Sequence, residues 1–269
     1  MDAVGLVSAV VSVAGAVLTA FLGYWYQQRA RRLDRQGYMD RYGAHMALAA
    51  FELQSRIFNI LHGHRVDLIG QSRGFLTAFV VHGTAEDAEY ARRSTAFVFA
   101  EYLAWVEILR RDVQFLDLGK NKLNRDVMRQ IALITGTMSR VRGERAAPGN
   151  EFCIFRTAQR AIGEVMIKVD GEIERRHCRG YAEFTTLLNG DESFGSWFAP
   201  ILRDVDRVAA DLEPALPRLT ALQHQLVGLI DLLDPRFIRF PREQRSLFAE
   251  SGDGAPQPVV SPRSRQRGP

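Results

Sequence analysis

Cysteine is scarce. Cys153 and Cys178 are the only two among 269 residues. Two are too few for a disulfide framework and read as free, buried thiols in a reducing compartment. Metal-binding spacings of the C-x-x-C or H-E-x-x-H kind are absent, which removes the familiar structural and catalytic zinc arrangements. So are the glycine-rich phosphate loops G-x-x-x-x-G-K-[ST] and G-x-G-x-x-G, which removes P-loop and dinucleotide-binding chemistry. No stretch alternates for long with period two, and no Asn-Gly or Asp-Gly pair is read as a hairpin between β-branched runs, so no sheet architecture is expected. No repeat of fixed period is found. Basic residues are missing from the start: no Lys or Arg precedes Arg29. A cleaved signal peptide would need a basic first region there.

The chain does hold a long uncharged run, from residue 3 to residue 23, AVGLVSAVVSVAGAVLTAFLG. At 1.5 Å per residue it is long enough to cross a hydrocarbon core of about 30 Å. Tyr24, Trp25 and Tyr26 follow as a headgroup belt, and then Arg29, Arg31, Arg32 and Arg35. Basic residues favour the cytoplasmic side, so residues 1–26 are expected to be a short outside terminus and one transmembrane helix in the plasma membrane. Ser8, Ser12, Ala16 and Ala20 fall four apart, a face through which two spans could pack closely as a homo-oligomer.

Beyond the span the period is helical. Met39, Tyr42, Met46, Ala49, Leu53, Ile57 and Ile60 make one stripe. Thr84-Ala85-Glu86-Asp87 resembles a capping box with Asp in place of Glu or Gln. The helix that follows is apolar nearly all round between residues 96 and 109, as a central helix would be. Lys120–Arg142 reads as a helix, 142–150 as a loop, and Phe152–Val169 as another helix. A short helix and two longer ones follow, the last with Leu219, Leu222, Leu226 and Leu229 in phase. The expected fold class is therefore all-α: one N-terminal transmembrane helix, a cytoplasmic multi-helix bundle over residues 27–248, and a disordered basic Pro/Gly/Ser tail over 249–269. The net charge of +4 is mild and comes from local Arg runs rather than one broad basic face, so no nucleic acid is expected as a partner.

Candidate chemistry is thin. Gly70-Gln71-Ser72-Arg73-Gly74 matches the G-x-S-x-G nucleophile elbow, but an elbow needs a preceding strand, and a helix precedes it here. Asp206 or Asp211 and His224 are the nominal partners, all on expected helices. His62, His64 and the His177-Cys178 pair lack the company a metal site needs. Glu101 lies within the most apolar helix, where a lone carboxylate would be costly. A buried polar network of Glu52, Arg56, Glu101, Arg160 and Glu164 is therefore expected, with Arg56 or Arg160 pairing Glu101. No catalytic residue, cofactor or metal is assigned.

The blocks AFELQSRIFNIL (50–61), GFLTAFVVHGT (74–84), EYLAWVEILRRDVQFLDLG (101–119), RAIGEVM (160–166) and LDPRFIRFP (233–241) together resemble a group of single-pass membrane proteins from high-GC, actinobacterial-type bacteria. The resemblance spans most of the expected cytoplasmic domain and implies no activity. The expected role is a membrane-tethered, non-enzymatic interaction or regulatory module with a cytoplasmic protein partner. The alternatives are a membrane-anchored enzyme using Ser72 or the Glu101 region, and an effector that oligomerises through its span.

Overall fold

The computed structural model describes residues 19, 21–26, 42–62, 74–113, 122–170 and 175–248. Residues 21–26 are helical, with Tyr24, Trp25 and Tyr26 exposed. Most of the expected span, its small-residue face (Ser8, Ser12, Ala16, Ala20), the Arg29–Arg35 cluster and the tail lie outside the described residues. Among the described residues no helix is long and apolar enough to cross a membrane.

Helix α1 (42–62) turns Met46, Ala49, Leu53, Ile57 and Ile60 inward, the stripe that its period dictates. Helix α2 (Ala85–Val113) starts at the expected capping box. The Thr84 N–H and hydroxyl donate to Asp87 at 2.9 and 2.8 Å, and the Asp87 N–H donates back to the Thr84 hydroxyl at 3.1 Å. The shorter Asp closes the box as Glu would. Between residues 96 and 109 only Phe97, Glu101 and Val106 escape full burial. α2 is thus the central element.

Helix α3 (Lys122–Ser139) buries Val127, Ile131, Ile134 and Met138 and packs on α7 (Leu216–Leu233). Helix α4 (Arg156–Val165) crosses α2, α5 (Tyr181–Gly190) is short, and α6 (Glu192–Ala210) follows an Asp191 cap that accepts the Phe194 N–H at 3.0 Å. The described residues from 42 to 248 share one hydrophobic core.

One part of the helical reading is corrected. The helix expected to run to Val169 stops at Val165. The chain then forms an antiparallel pair, β1 (Ile167–Asp170) with β2 (Arg175–Cys178), Ile167 facing Cys178. Among the described residues the fold is helical with one antiparallel strand pair. Ile167 and Val169 of β1 are β-branched, and the sequence Asp170-Gly171 that follows is a turn signal. The Arg179 N–H and guanidinium donate to the Met166 and Val165 carbonyls at 2.8 and 2.9 Å. These bonds take up carbonyls at the end of α4 and leave the strands free to pair.

After α7 the chain doubles back as a strap, residues 234–248, along α1. Phe240 stacks on Phe51 at 4.4 Å, Gln54 donates to the Gln244 carbonyl at 3.0 Å, and Phe248 meets His62 edge-on at 4.9 Å.

Candidate functional site

Glu107, not Glu101, is the buried carboxylate of α2, with 2% of its side chain exposed. Arg110, one turn on, donates twice at 2.6 and 2.7 Å, and Arg111 donates at 2.7 Å. Arg160 of α4 stands 3.9 Å away, and Arg111 continues to Glu164 at 2.7 Å. Burial pushes the Glu107 carboxyl up, but the hydrogen bonds and charges of Arg110 and Arg111 outweigh it and hold the group below its ordinary range. Arg160 and Glu164 of the expected network are therefore brought together, around a different acid. The i, i+3 and i, i+4 spacing of Glu107 to Arg110 and Arg111 was the local signal for it.

The expected pairing of Glu101 with Arg56 or Arg160 is not formed. Glu101 is half-buried and makes no ion pair among the described residues. Burial and the nearby charge of Glu52, which is exposed on α1, raise its pKa. Arg56 lies over the Phe75 ring at 4.1 Å and donates to the Thr95 hydroxyl at 3.4 Å. Burial lowers its pKa, against the opposing pull of Tyr90 and Glu52. Cys178 lies near Glu101: burial first, and the Glu101 charge second, push its thiol up to about 12. A thiol there stays protonated at neutral pH and is a poor nucleophile. The second thiol, Cys153, is buried beside the Arg140 carbonyl.

Two buried arginines, Arg218 and Arg245, escaped the sequence reading because no helical spacing links them to their partners. Arg218 of α7 donates to the carbonyls of Thr137 and Arg140 at 2.7 Å each. It thereby satisfies the open end of α3, where carbonyls and the helix dipole favour a cation. Arg245 donates to Asp234 Oδ2 at 2.5 Å, to Asp231 at 2.8 Å and to the Phe240 carbonyl at 2.8 Å. The Asp234 carboxylate also accepts the N–H groups of Ile238, Arg239 and Phe240 at 3.1 Å each.

Of the serine-elbow candidates, Asp206, Asp211 and His224 do not come together among the described residues. Ser72 lies outside the described residues. Asp206 is held by Arg92 at 2.7 Å, and the Asp211 carboxylate accepts the Glu213 N–H at 3.2 Å. His224 bonds the Phe248 carbonyl at 2.7 Å, and no bond joins it to either acid. His62 stacks on Phe58 at 4.1 Å, and His64 lies outside the described residues. Among the described residues no group of three or more His, Cys, Asp or Glu could hold a metal ion. No protein-family model, curated protein or solved structure matches the chain.

Proposed function

We propose that this chain is a membrane-tethered helical interaction module, with residues 3–26 crossing the plasma membrane and the helical body on the cytoplasmic side. Its role is regulatory rather than catalytic, and it belongs with the single-pass proteins of high-GC bacteria that its blocks resemble. The observation that carries the reading is the uncharged run 3–23 with Tyr24-Trp25-Tyr26 and four arginines on one side only. The small residues Ser8, Ser12, Ala16 and Ala20 give the span a face for a second copy, and a cytoplasmic protein is the further partner. Alkaline carbonate tests the tether: the full chain stays in the membrane pellet, and its release into the supernatant overturns the reading. Protease added to intact spheroplasts tests the orientation, because an outside body is digested and a cytoplasmic one survives.

One observation favours a second reading. Glu101 is a half-buried carboxylate with a raised pKa and no ion pair among the described residues, as a proton-transferring group can be. A Glu101→Gln chain that keeps its fold and membrane association yet loses its cellular effect would favour this reading over the module.

A further inference from the structure

The most exposed large apolar side chain among the described residues is Ile238, 76% exposed. It stands in the loop that opens the strap after α7, next to Phe237, which is 40% exposed. Phe237 has φ +56°, in the left-handed region. A bulky residue there is strained, and such strain persists only where the surroundings impose it. They do so here. Asp234 gathers three successive N–H groups under the loop, Arg245 clamps Asp234 from below, and the Arg245 guanidinium lies over the Phe237 ring at 4.6 Å. The polar scaffold thus holds Ile238 out into solvent and leaves part of the Phe237 ring exposed beside it. Around them stand Arg236, Arg239 and Arg242, all exposed, with Glu243 as the exposed acid on the same segment.

The place of this loop in the fold gives it a partner. Leu233, the last residue of α7, reaches the first turn of α1: a methyl on Gly43 would meet its Cδ2 at 4.0 Å. The loop therefore sits at the end of the body where the chain enters from the uncharged run. Residues 27–41 link Tyr26 to Tyr42, and fifteen residues span at most about 50 Å. In the tethered reading, that end of the body stays within this distance of the bilayer.

We propose that the loop 236–242 is a contact site for the anionic lipid surface, an inference that rests on the tethered reading of the chain. Phe237 and Ile238 enter the headgroup region, and Arg236, Arg239 and Arg242 pair with lipid phosphates. Apolar tips ringed by arginine suit such a surface, where buried apolar area and charge attraction add. The contact would orient the body on the membrane and decide which face is left for a protein partner.

The test uses the full chain reconstituted in vesicles with a fluorophore at Ile238→Cys, or at Val81→Cys as the control. Val81 is exposed in the π-helical turn that follows Gly74, at the Ile60 end of α1. Labelling near neutral pH spares Cys153, which is buried, and Cys178, whose thiol is pushed up to about 12. Lipid-borne nitroxide is expected to quench the Ile238 probe well above the Val81 probe in vesicles rich in phosphatidylglycerol. High salt and purely neutral lipid are expected to abolish the difference. Replacing Arg236 and Arg239 with Gln is expected to weaken loop docking about thirtyfold, from about 1 kcal/mol for each basic residue near anionic lipid. Equal quenching at the two sites, or quenching indifferent to lipid charge, overturns the proposal, including the case where the loop serves an acidic protein instead. Carbonate extraction of the same vesicles reads the tether separately. A chain that resists carbonate with an unquenched Ile238 keeps the tether and loses the lipid contact.

Discussion

Gly163 and Gly136 both lie inside helices, and the structure expects opposite signs for the same substitution at the two. At Gly163 on α4, an added Cβ would lie 2.6 Å from the Leu103 carbonyl oxygen, 3.2 Å from its carbon and 2.8 Å from Glu107 Cβ. None of these is the free end of a flexible side chain, so α4 itself must move off α2, by well over half an ångström. Overpacking of this kind costs about 1–3 kcal/mol, with the rigid backbone contact placing it high in the range. Gly→Ala in a helix interior returns at most about 1 kcal/mol. The movement also stretches Arg111–Glu164 and Arg160–Glu107, now at 2.7 and 3.9 Å. Gly163→Ala is therefore expected to destabilise by about 1–2 kcal/mol, or about 3–6 °C for a body of this size. At Gly136 on α3 an added Cβ meets nothing within 4 Å, so Gly136→Ala is expected to raise the melting temperature by about 2–4 °C. Thermal unfolding of the full chain in detergent, followed by circular dichroism, reads both. Shifts of the same sign would refute the reasoning that close approach at Gly163 decides how α4 seats on α2.

Glu101→Gln should melt at or above the wild-type temperature at pH 7. The folded-state pKa of Glu101 lies above its ordinary 4.5, so the folded state holds the proton more tightly and stability falls as pH rises through that window. The advantage should vanish below about pH 4.5, and a lower melting temperature at pH 7 would show a partner that the fold does not reveal. Glu107→Gln should destabilise by about 1–3 kcal/mol, below the range for fully buried pairs because Arg110 and Arg111 are a third or more exposed and can turn to water. Asp234→Asn takes the buried one of two carboxylates from Arg245, leaves Asp231 at 2.8 Å, and weakens the loop scaffold. Its expected cost is about 3 kcal/mol, the low end of the range for a buried pair, with faster trypsin cleavage after Arg236 and Arg239, and an unchanged digestion rate would show that the strap is held elsewhere.

Local chemistry determined much by itself. The α1 and α7 stripes, the Thr84–Asp87 box and the central character of α2 follow from residue spacing alone, because a 3.6-residue period and a cap are complete within one turn or one face. The uncharged run and its one-sided arginines are also legible in the sequence, as the basis of the proposed tether. What spacing cannot say is which face meets which. Glu101 and Glu107 stand on the same helix, less than two turns apart, and from periodicity either could be the paired acid. Glu107 meets Arg160 because Gly163 lets α4 close on α2 at that level, while Glu101 faces Glu52 and Cys178. The strand pair had its signal in Asp170-Gly171, but the short strands carried too few residues to outweigh the helical phase before them. Arg218 and Arg245 gave no signal in the sequence. A buried cation is satisfied by carbonyls and carboxylates wherever the fold delivers them. For Arg218 these come from the end of α3, nearly eighty residues back, and for Arg245 from the end of α7 and the turn that follows. Only the packing of α3, α7 and the strap brings those groups together.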